Sequence, residues 1–160
     1  MSEITGSYDI SLVTLSVLIA IMTSYTALGL AVHLSGKKGS QRVAWMTGSA
    51  IAMGGGIWSM HFIGMLAFSM PMPVQYHIDL TVYSLLIAVL GSGLGLYFGT
   101  RAEQAKSSAL MISGLFMGMA IASMHYVGMQ AMNMAVEIVY DAWLFSASIA
   151  IAILASIAAL

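Results

Sequence analysis

Cysteine is absent from this chain of 160 residues, and charge is scarce. Without cysteine there can be no disulfide, no zinc–thiolate site and no thiol chemistry. Charged residues make up 7% of the chain and the formal net charge is −1, so the chain lacks the basic face with which proteins grip nucleic acid. The N-terminus also lacks the basic region of a cleaved signal peptide, which indicates that the first helix stays in the mature protein.

Hydrophobic residues take the place of the missing charge: they form 60% of the chain, and the mean hydropathy is +0.94. This composition is typical of a membrane protein. A spanning helix needs about 20 apolar residues, while an open sheet is excluded in lipid and no segment alternates like a barrel strand. We therefore predict an all-α membrane protein, a bundle of five transmembrane helices near 10–34, 43–68, 79–99, 108–133 and 142–160.

The distribution of basic residues predicts the orientation of the bundle. All of them lie in segments 37–42 and 101–106, between predicted helices 1 and 2 and between helices 3 and 4. The positive-inside rule makes both segments cytoplasmic and places the N-terminus outside. We thus expect a multi-pass protein of the membrane, in direct contact with the lipid bilayer.

The helices repeat as hairpins. Helix 1 begins with Tyr-Asp and has Ser16 in its first half; the same pattern returns around Ser148 in helix 5 and more loosely around Ser84 in helix 3. The unit is one plain helix followed by one motif helix, repeated in parallel orientation. We assign repeat 1 to 8–69, repeat 2 to 76–133 and a partial repeat 3 to 140–160. We expect the natural protein to continue beyond residue 160, as a domain of three hairpins.

Each complete hairpin carries one copy of a motif, Ser-Met-His-Phe-Ile-Gly-Met at 59–65 and Ser-Met-His-Tyr-Val-Gly-Met at 123–129, sixty-four residues apart. Residues four apart share a helix face, so His61 points with Met65 and His125 with Met129. Each histidine lies about two turns, or roughly 10 Å, from the outer end of its helix. The repetition predicts two halves of one site.

Imidazole together with thioether, without thiolate or a carboxylate cluster, suits copper, and Cu(I) in particular. Zinc normally recruits cysteine or carboxylate, and calcium or magnesium prefers oxygen. We predict His61, His125, Met65 and Met129 as copper ligands, with Met60, Met124 and Met132 as reserves. Tyr126 is a candidate to hydrogen-bond an imidazole from outside the ligand set, a role that the corresponding Phe62 cannot fill.

Packing is the competing interpretation of these residues. Any single methionine here is more simply explained as a gap-filler, and a lone intramembrane histidine can hydrogen-bond to a neighbouring helix. Two histidines at one depth favour a ligand or cofactor site, because ionisable residues in the membrane default to function. His33, at the inner end of helix 1, is most simply an interfacial anchor.

On this motif, in two correctly spaced copies, the whole chain resembles the MHYT domain, a bacterial integral-membrane sensor module named for the tetrapeptide; neither copy here carries the final threonine. The resemblance implies a sensor in the bacterial cytoplasmic membrane that binds copper and through it responds to a diatomic gas such as O2, CO or NO. It also implies cytoplasmic output domains in the same chain, commonly the GGDEF and EAL domains that make and degrade cyclic di-GMP. The family typically has three motif helices and this sequence has two, so a three-motif ligand set is incomplete here.

Three functions are left open. The first is a metal-dependent sensor that is not itself an enzyme, since the chain has no nucleophile–base pair and no carboxylate dyad in the membrane. The second is a copper transport or delivery protein. The third is a b-type haem protein with His61 and His125 as axial ligands. A homodimer is left open as the assembly.

Overall fold

The computed structural model describes residues 7–34, 37–69, 74–100, 108–134 and 139–159. This part of the chain contains five helices, as predicted: α1 (Ile10–Val32), α2 (Gly39–Ala67), α3 (Ile78–Gly99), α4 (Ser108–Gln130) and α5 (Ala142–Ala159). The predicted segment 101–106 lies outside the described residues, and so does residue 160. The largest difference at a helix start is in α2, which begins four residues before the predicted position.

Helices α1 to α4 are each long and apolar enough to cross a membrane, whereas α5 is shorter within the described residues. The distribution of apolar and polar side chains is the one expected of a bundle surrounded by lipid. Large apolar side chains point outward, as with Ile21 and Leu90, which are 61% and 67% exposed. Small polar residues lie inside, where Ser49, Ser84 and Ser113 are fully buried. Lipid offers no hydrophobic drive between helices, so close packing and hydrogen bonds must hold them together.

Within the described residues, four two-residue strands close one end of the bundle, which we call the strand end. Strand β1 (Ser7–Tyr8) pairs antiparallel with β2 (Phe68–Ser69), and β3 (Gln75–Tyr76) pairs antiparallel with β4 (Met132–Asn133). Each pair links the start of a plain helix to the end of the motif helix of the same hairpin. Both links use the same hydrogen bond, because the N–H groups of Asp9 and His77 donate to the carbonyl groups of Ala67 and Ala131, each at 2.8 Å.

Glycines bring the motif helices against the plain helices that follow them. A methyl group added at Gly54 of α2 would lie 2.5 Å from the Cα of Val89 in α3. One added at Gly118 of α4 would lie 2.4 Å from the Cα of Ile153 in α5. Gly118 and Ile153 each follow their counterparts by sixty-four residues. The contact between α2 and α3 therefore recurs between α4 and α5, as parallel repeats require.

One pair of contacts shows that the repeat holds in space even where the residues differ. Gly93 of α3 faces Ala50 of α2, since a methyl group added at Gly93 would lie 3.3 Å from the Ala50 Cβ. At the equivalent positions Gly114 of α4 faces Ile157 of α5, where an added methyl group would lie 2.3 Å from the isoleucine side chain. The larger residue of the pair is on the motif helix in the first contact (Ala50) and on the plain helix in the second (Ile157).

Candidate metal centre

The two motif histidines meet inside the bundle. The Nδ1 atom of His61 in α2 lies 3.4 Å from the Nδ1 atom of His125 in α4. The ring centroids are 4.8 Å apart and the ring planes are inclined by 66°. His61 stands six residues before the end of α2, or about 9 Å below the strand end at 1.5 Å per residue. The two copies of the motif thus reach one point at one depth.

A cavity of about 590 Å³ opens beside the imidazole pair. Its walls come from β1, from helices α1, α2 and α4, and from the segments that follow α2 and α4. Its lining residues are Tyr8, Ser16, Met60, His61, Gly64, Met65, Phe68, His125, Met129, Met132 and Met134. Six of the eight residues predicted from the sequence are among them, and five methionines surround the two histidines. The cavity is lined mainly by apolar groups, so a ligand there would meet thioether sulfur and imidazole nitrogen.

Met124 and Tyr126 are the two predicted residues that do not line the cavity. Met124 is packed inside the bundle and only 1% exposed, although its repeat counterpart Met60 faces the cavity. The Tyr126 hydroxyl is hydrogen-bonded to the Ser148 hydroxyl of α5 at 2.5 Å, and its ring packs on Phe145 with centroids 4.6 Å apart. The described contacts of Tyr126 therefore give its hydroxyl to α5 and not to an imidazole.

Ser16 and Met134 are among the five lining residues that were not predicted as ligands from the sequence. Ser16 donates its hydroxyl proton to the carbonyl oxygen of Met60 at 2.7 Å, which joins α1 to α2 directly beside His61. Met134 follows β4 and lies at the cavity on the strand end. The signal for Ser16 was its recurrence as Ser84 and Ser148. Met134 carried no comparable signal, since it stands outside both motif copies.

Two other methionines of the motif helices belong to the packing of the bundle. Met53 and Met117, at equivalent repeat positions, form a core cluster with Ala27 and Leu96 and are 8% and 4% exposed. They lie two turns along each helix from the histidines. Met53 and Met117 thus form a packed layer in the middle of the bundle, and the methionines that line the cavity lie nearer the strand end.

His33 lies far from this cavity, at the opposite end of α1. Its Nδ1 atom is 2.7 Å from the carbonyl oxygen of Gly29. Its ring stacks on Trp45 of α2 with centroids 5.0 Å apart. The residue ties α1 to α2 at that end, and its role as an interfacial anchor stays a prediction.

The donor atoms at the cavity fit a soft metal. Two nitrogens bound to one metal at about 2.0 Å lie about 3.3–3.5 Å apart in a tetrahedral or trigonal arrangement, and the two Nδ1 atoms are 3.4 Å apart. Within the described residues, no group of three or more His, Cys, Asp or Glu side chains could hold a metal ion. A metal here would depend on two imidazoles and on thioether sulfur, a donor set that favours Cu(I).

Comparison with known proteins gives a consistent result. A family model described as "MHYT: Bacterial signalling protein N terminal repeat" matches residues 1–44, 54–112 and 118–160. The chain is 48% identical over 155 residues to the bifunctional diguanylate cyclase/cyclic di-GMP phosphodiesterase MucR of Pseudomonas aeruginosa, an alignment that covers 97% of this chain and 22% of that protein. It is 40% identical over 158 residues to the signaling protein YkoW of Bacillus subtilis, covering 99% of this chain and 20% of that protein.

A third relative is the cyclic di-GMP phosphodiesterase NbdA of Pseudomonas aeruginosa, 38% identical over 154 residues that make up 96% of this chain and 19% of that protein. The chain therefore spans about a fifth of the length of these curated relatives. No solved structure matches it.

Proposed function

The chain belongs to the MHYT family of bacterial signalling proteins, and from this premise we propose that its cavity is the copper site of a membrane-embedded sensor. In this proposal the sensor relays its state to a cytoplasmic output domain of the same protein that makes or degrades cyclic di-GMP. Two relatives whose alignments cover nearly all of this chain have such activities in their names. The chain itself contributes the sensing module and no catalysis.

The observation that carries the copper assignment is the approach of the two Nδ1 atoms, 3.4 Å apart, at the wall of a methionine-lined cavity. His61 and His125 would hold the metal through nitrogen, and Met65 and Met129, one turn further on each helix, would offer sulfur. Met60, Met132 and Met134 line the same space and are the reserve donors. Bound Cu(I) would supply an electron-rich centre that O2, CO or NO can coordinate.

The position of the site suggests how its state reaches the rest of the molecule. Helices α2 and α4 pack extensively against α3 and touch each other over only a short stretch. A ligand held by one imidazole from each helix would bridge them where little else does. Gain or loss of that ligand would change the spacing of α2 and α4, and a signal needs such a difference between two states.

Two alternatives are less well supported by the geometry. A haem between axial imidazoles must part the two rings by the thickness of the macrocycle, whereas the rings of His61 and His125 are in contact. Transport would require donors that continue along the bundle, but the next methionines, Met53 and Met117, are packed against Ala27 and Leu96. Sensing needs only the single site.

The orientation completes the proposal. We place the basic segments 37–42 and 101–106 in the cytoplasm and the strand end outside, in the cytoplasmic membrane of a bacterium. The cavity then lies in the outer half of the bilayer. A dissolved gas would reach it from the outer side or through the lipid, and the output domain would lie across the membrane.

Copper content and an absorption spectrum of the intact purified protein test the assignment. We expect copper to be retained by the wild type and by a His33→Ala variant, and to be lost from the double variant His61→Ala/His125→Ala. The His33→Ala control removes an imidazole at the far end of α1. Equal copper in the wild type and the folded double variant would refute the site, and a Soret band would identify haem in its place.

A further inference from the structure

The imidazole of His61 sits in a notch on the surface of α4. Its Nδ1 atom faces His125, while its Nε2 atom is buried and has no hydrogen-bond partner among the described residues. The floor of the notch is Gly128. A methyl group added there would lie 2.8 Å from Nε2 and 3.2 Å from Cδ2 of His61. The ring occupies this place because residue 128 has no side chain.

The other copy of the motif provides a matched comparison. Gly64 holds the same motif position in α2 as Gly128 holds in α4. A methyl group added at Gly64 would find only the Ser16 hydroxyl, at 3.8 Å, which is ordinary van der Waals contact. The two glycines therefore differ in what they touch, and within the described residues only Gly128 borders an imidazole this closely.

We propose that Gly128 is a positioning residue that fixes the His61 ring and so selects the nitrogen that His61 presents. With Nε2 pressed against the α4 backbone, Nδ1 is the atom left facing His125 and any ligand between them. A side chain at position 128 displaces or turns the ring and separates the two Nδ1 atoms. The identity of the ligand rests on the copper site proposed above, whereas the contact itself does not.

The first experiment tests the contact without metal. Thermal unfolding is compared for Gly128→Ala, His61→Ala and the double variant in the intact protein in lipid nanodiscs, with Gly64→Ala as control. Helix propensity changes equally at both glycines, so only the neighbours differ. We expect Gly128→Ala to lower the unfolding midpoint in the wild-type background and to have no such effect once His61 is alanine. Gly64→Ala should be tolerated in both backgrounds.

This double-mutant cycle isolates the steric term between residues 61 and 128. If Gly128→Ala alone fails to fold, recovery of folding in the Gly128→Ala/His61→Ala double variant supports the proposal. The proposal is overturned if the double variant fails as well, or if Gly128→Ala and Gly64→Ala unfold alike.

The second experiment reads the selected nitrogen. In the copper-loaded wild type, the Raman C4–C5 stretching band of the imidazoles distinguishes a metal bound at Nδ1 from one bound at Nε2, and we expect the Nδ1 signature. Gly128→Ala should weaken copper binding by about 10–100-fold, the usual effect of changing a group that orients a ligand. The control here is Gly55→Ala in α2, which lies outside the cavity lining, has nothing within 4 Å of an added methyl group and should leave copper binding unchanged. An Nε2 signature overturns the selection. If the wild type binds no copper, the proposed function is refuted. The contact between Gly128 and His61 is then tested by the double-mutant cycle alone.

Discussion

The close contact between α2 and α3 depends on the absence of a side chain at Gly54. A single methyl group added there tests how tightly these two helices pack. In Gly54→Ala the new Cβ would lie 2.5 Å from the Cα of Val89 and 2.6 Å from the carbonyl oxygen of Ala88. Non-bonded carbons rest about 3.5–4.0 Å apart. Both obstacles are backbone atoms, so no side-chain rotation relieves the clash and the helices must part by about 1 Å.

The cost follows from that displacement. A gap of about 0.5–1 Å forfeits a quarter to a half of the dispersion energy of each contact it affects, and overpacked sites typically lose about 1–3 kcal/mol. We therefore expect Gly54→Ala to lower the free energy of unfolding by about 1–3 kcal/mol. Gly55→Ala is the control, because a methyl group at Gly55 would have nothing within 4 Å. Both variants gain the same helix propensity from replacing glycine by alanine, which stabilises the helix by at most about 1 kcal/mol.

Trp58 offers a local readout of the same displacement. It lies one turn after Gly54, and its indole N–H is shared between the Ser84 hydroxyl at 3.0 Å and the Thr81 carbonyl oxygen at 3.2 Å, both in α3. In a background where Trp45 and Trp143 are phenylalanine, its fluorescence reports the α2–α3 contact alone. Titration with denaturing detergent then gives stability and local structure together. Equal stability and equal emission for Gly54→Ala and Gly55→Ala would refute the reasoning.

Three further predictions concern the ends and edges of the bundle. On this cysteine-free background, a cysteine in place of Ser40 should react with an impermeant thiol reagent only after the membrane is opened, and one in place of Ser7 should react from outside; the reverse pattern would contradict the orientation. Tyr126→Phe removes the bond to Ser148 and should loosen α5 with copper content unchanged, so loss of copper would show that the hydroxyl serves the site. Asp9→Ala removes the cap that accepts two N–H groups of α1 and should cost about 0.5–2 kcal/mol, measured by unfolding against Asp9→Asn, which should retain most of the stability.

The sequence alone was sufficient to predict the helical segments, the membrane-protein class and the proximity of the two histidines. Helix length and hydropathy are local properties, so α1, α3 and α4 were placed to within a few residues. The depth of His61 and His125 followed from the sixty-four-residue repeat, because equal units in parallel orientation bring equal positions to equal heights. The short strands at the end of the bundle were not predicted, since two residues carry no periodicity.

The direction in which each motif side chain points was decided by tertiary structure. Met60 and Met124 have the same neighbours in sequence, yet Met60 faces the cavity and Met124 is 1% exposed. Gly64 and Gly128 are likewise equivalent in the motif, and only Gly128 borders an imidazole. The same helix face meets different partners in the two repeats, because α2 packs between α1 and α3 while α4 packs between α3 and α5. A repeat determines which residues share a depth, but the neighbouring helices determine which of them reach the site.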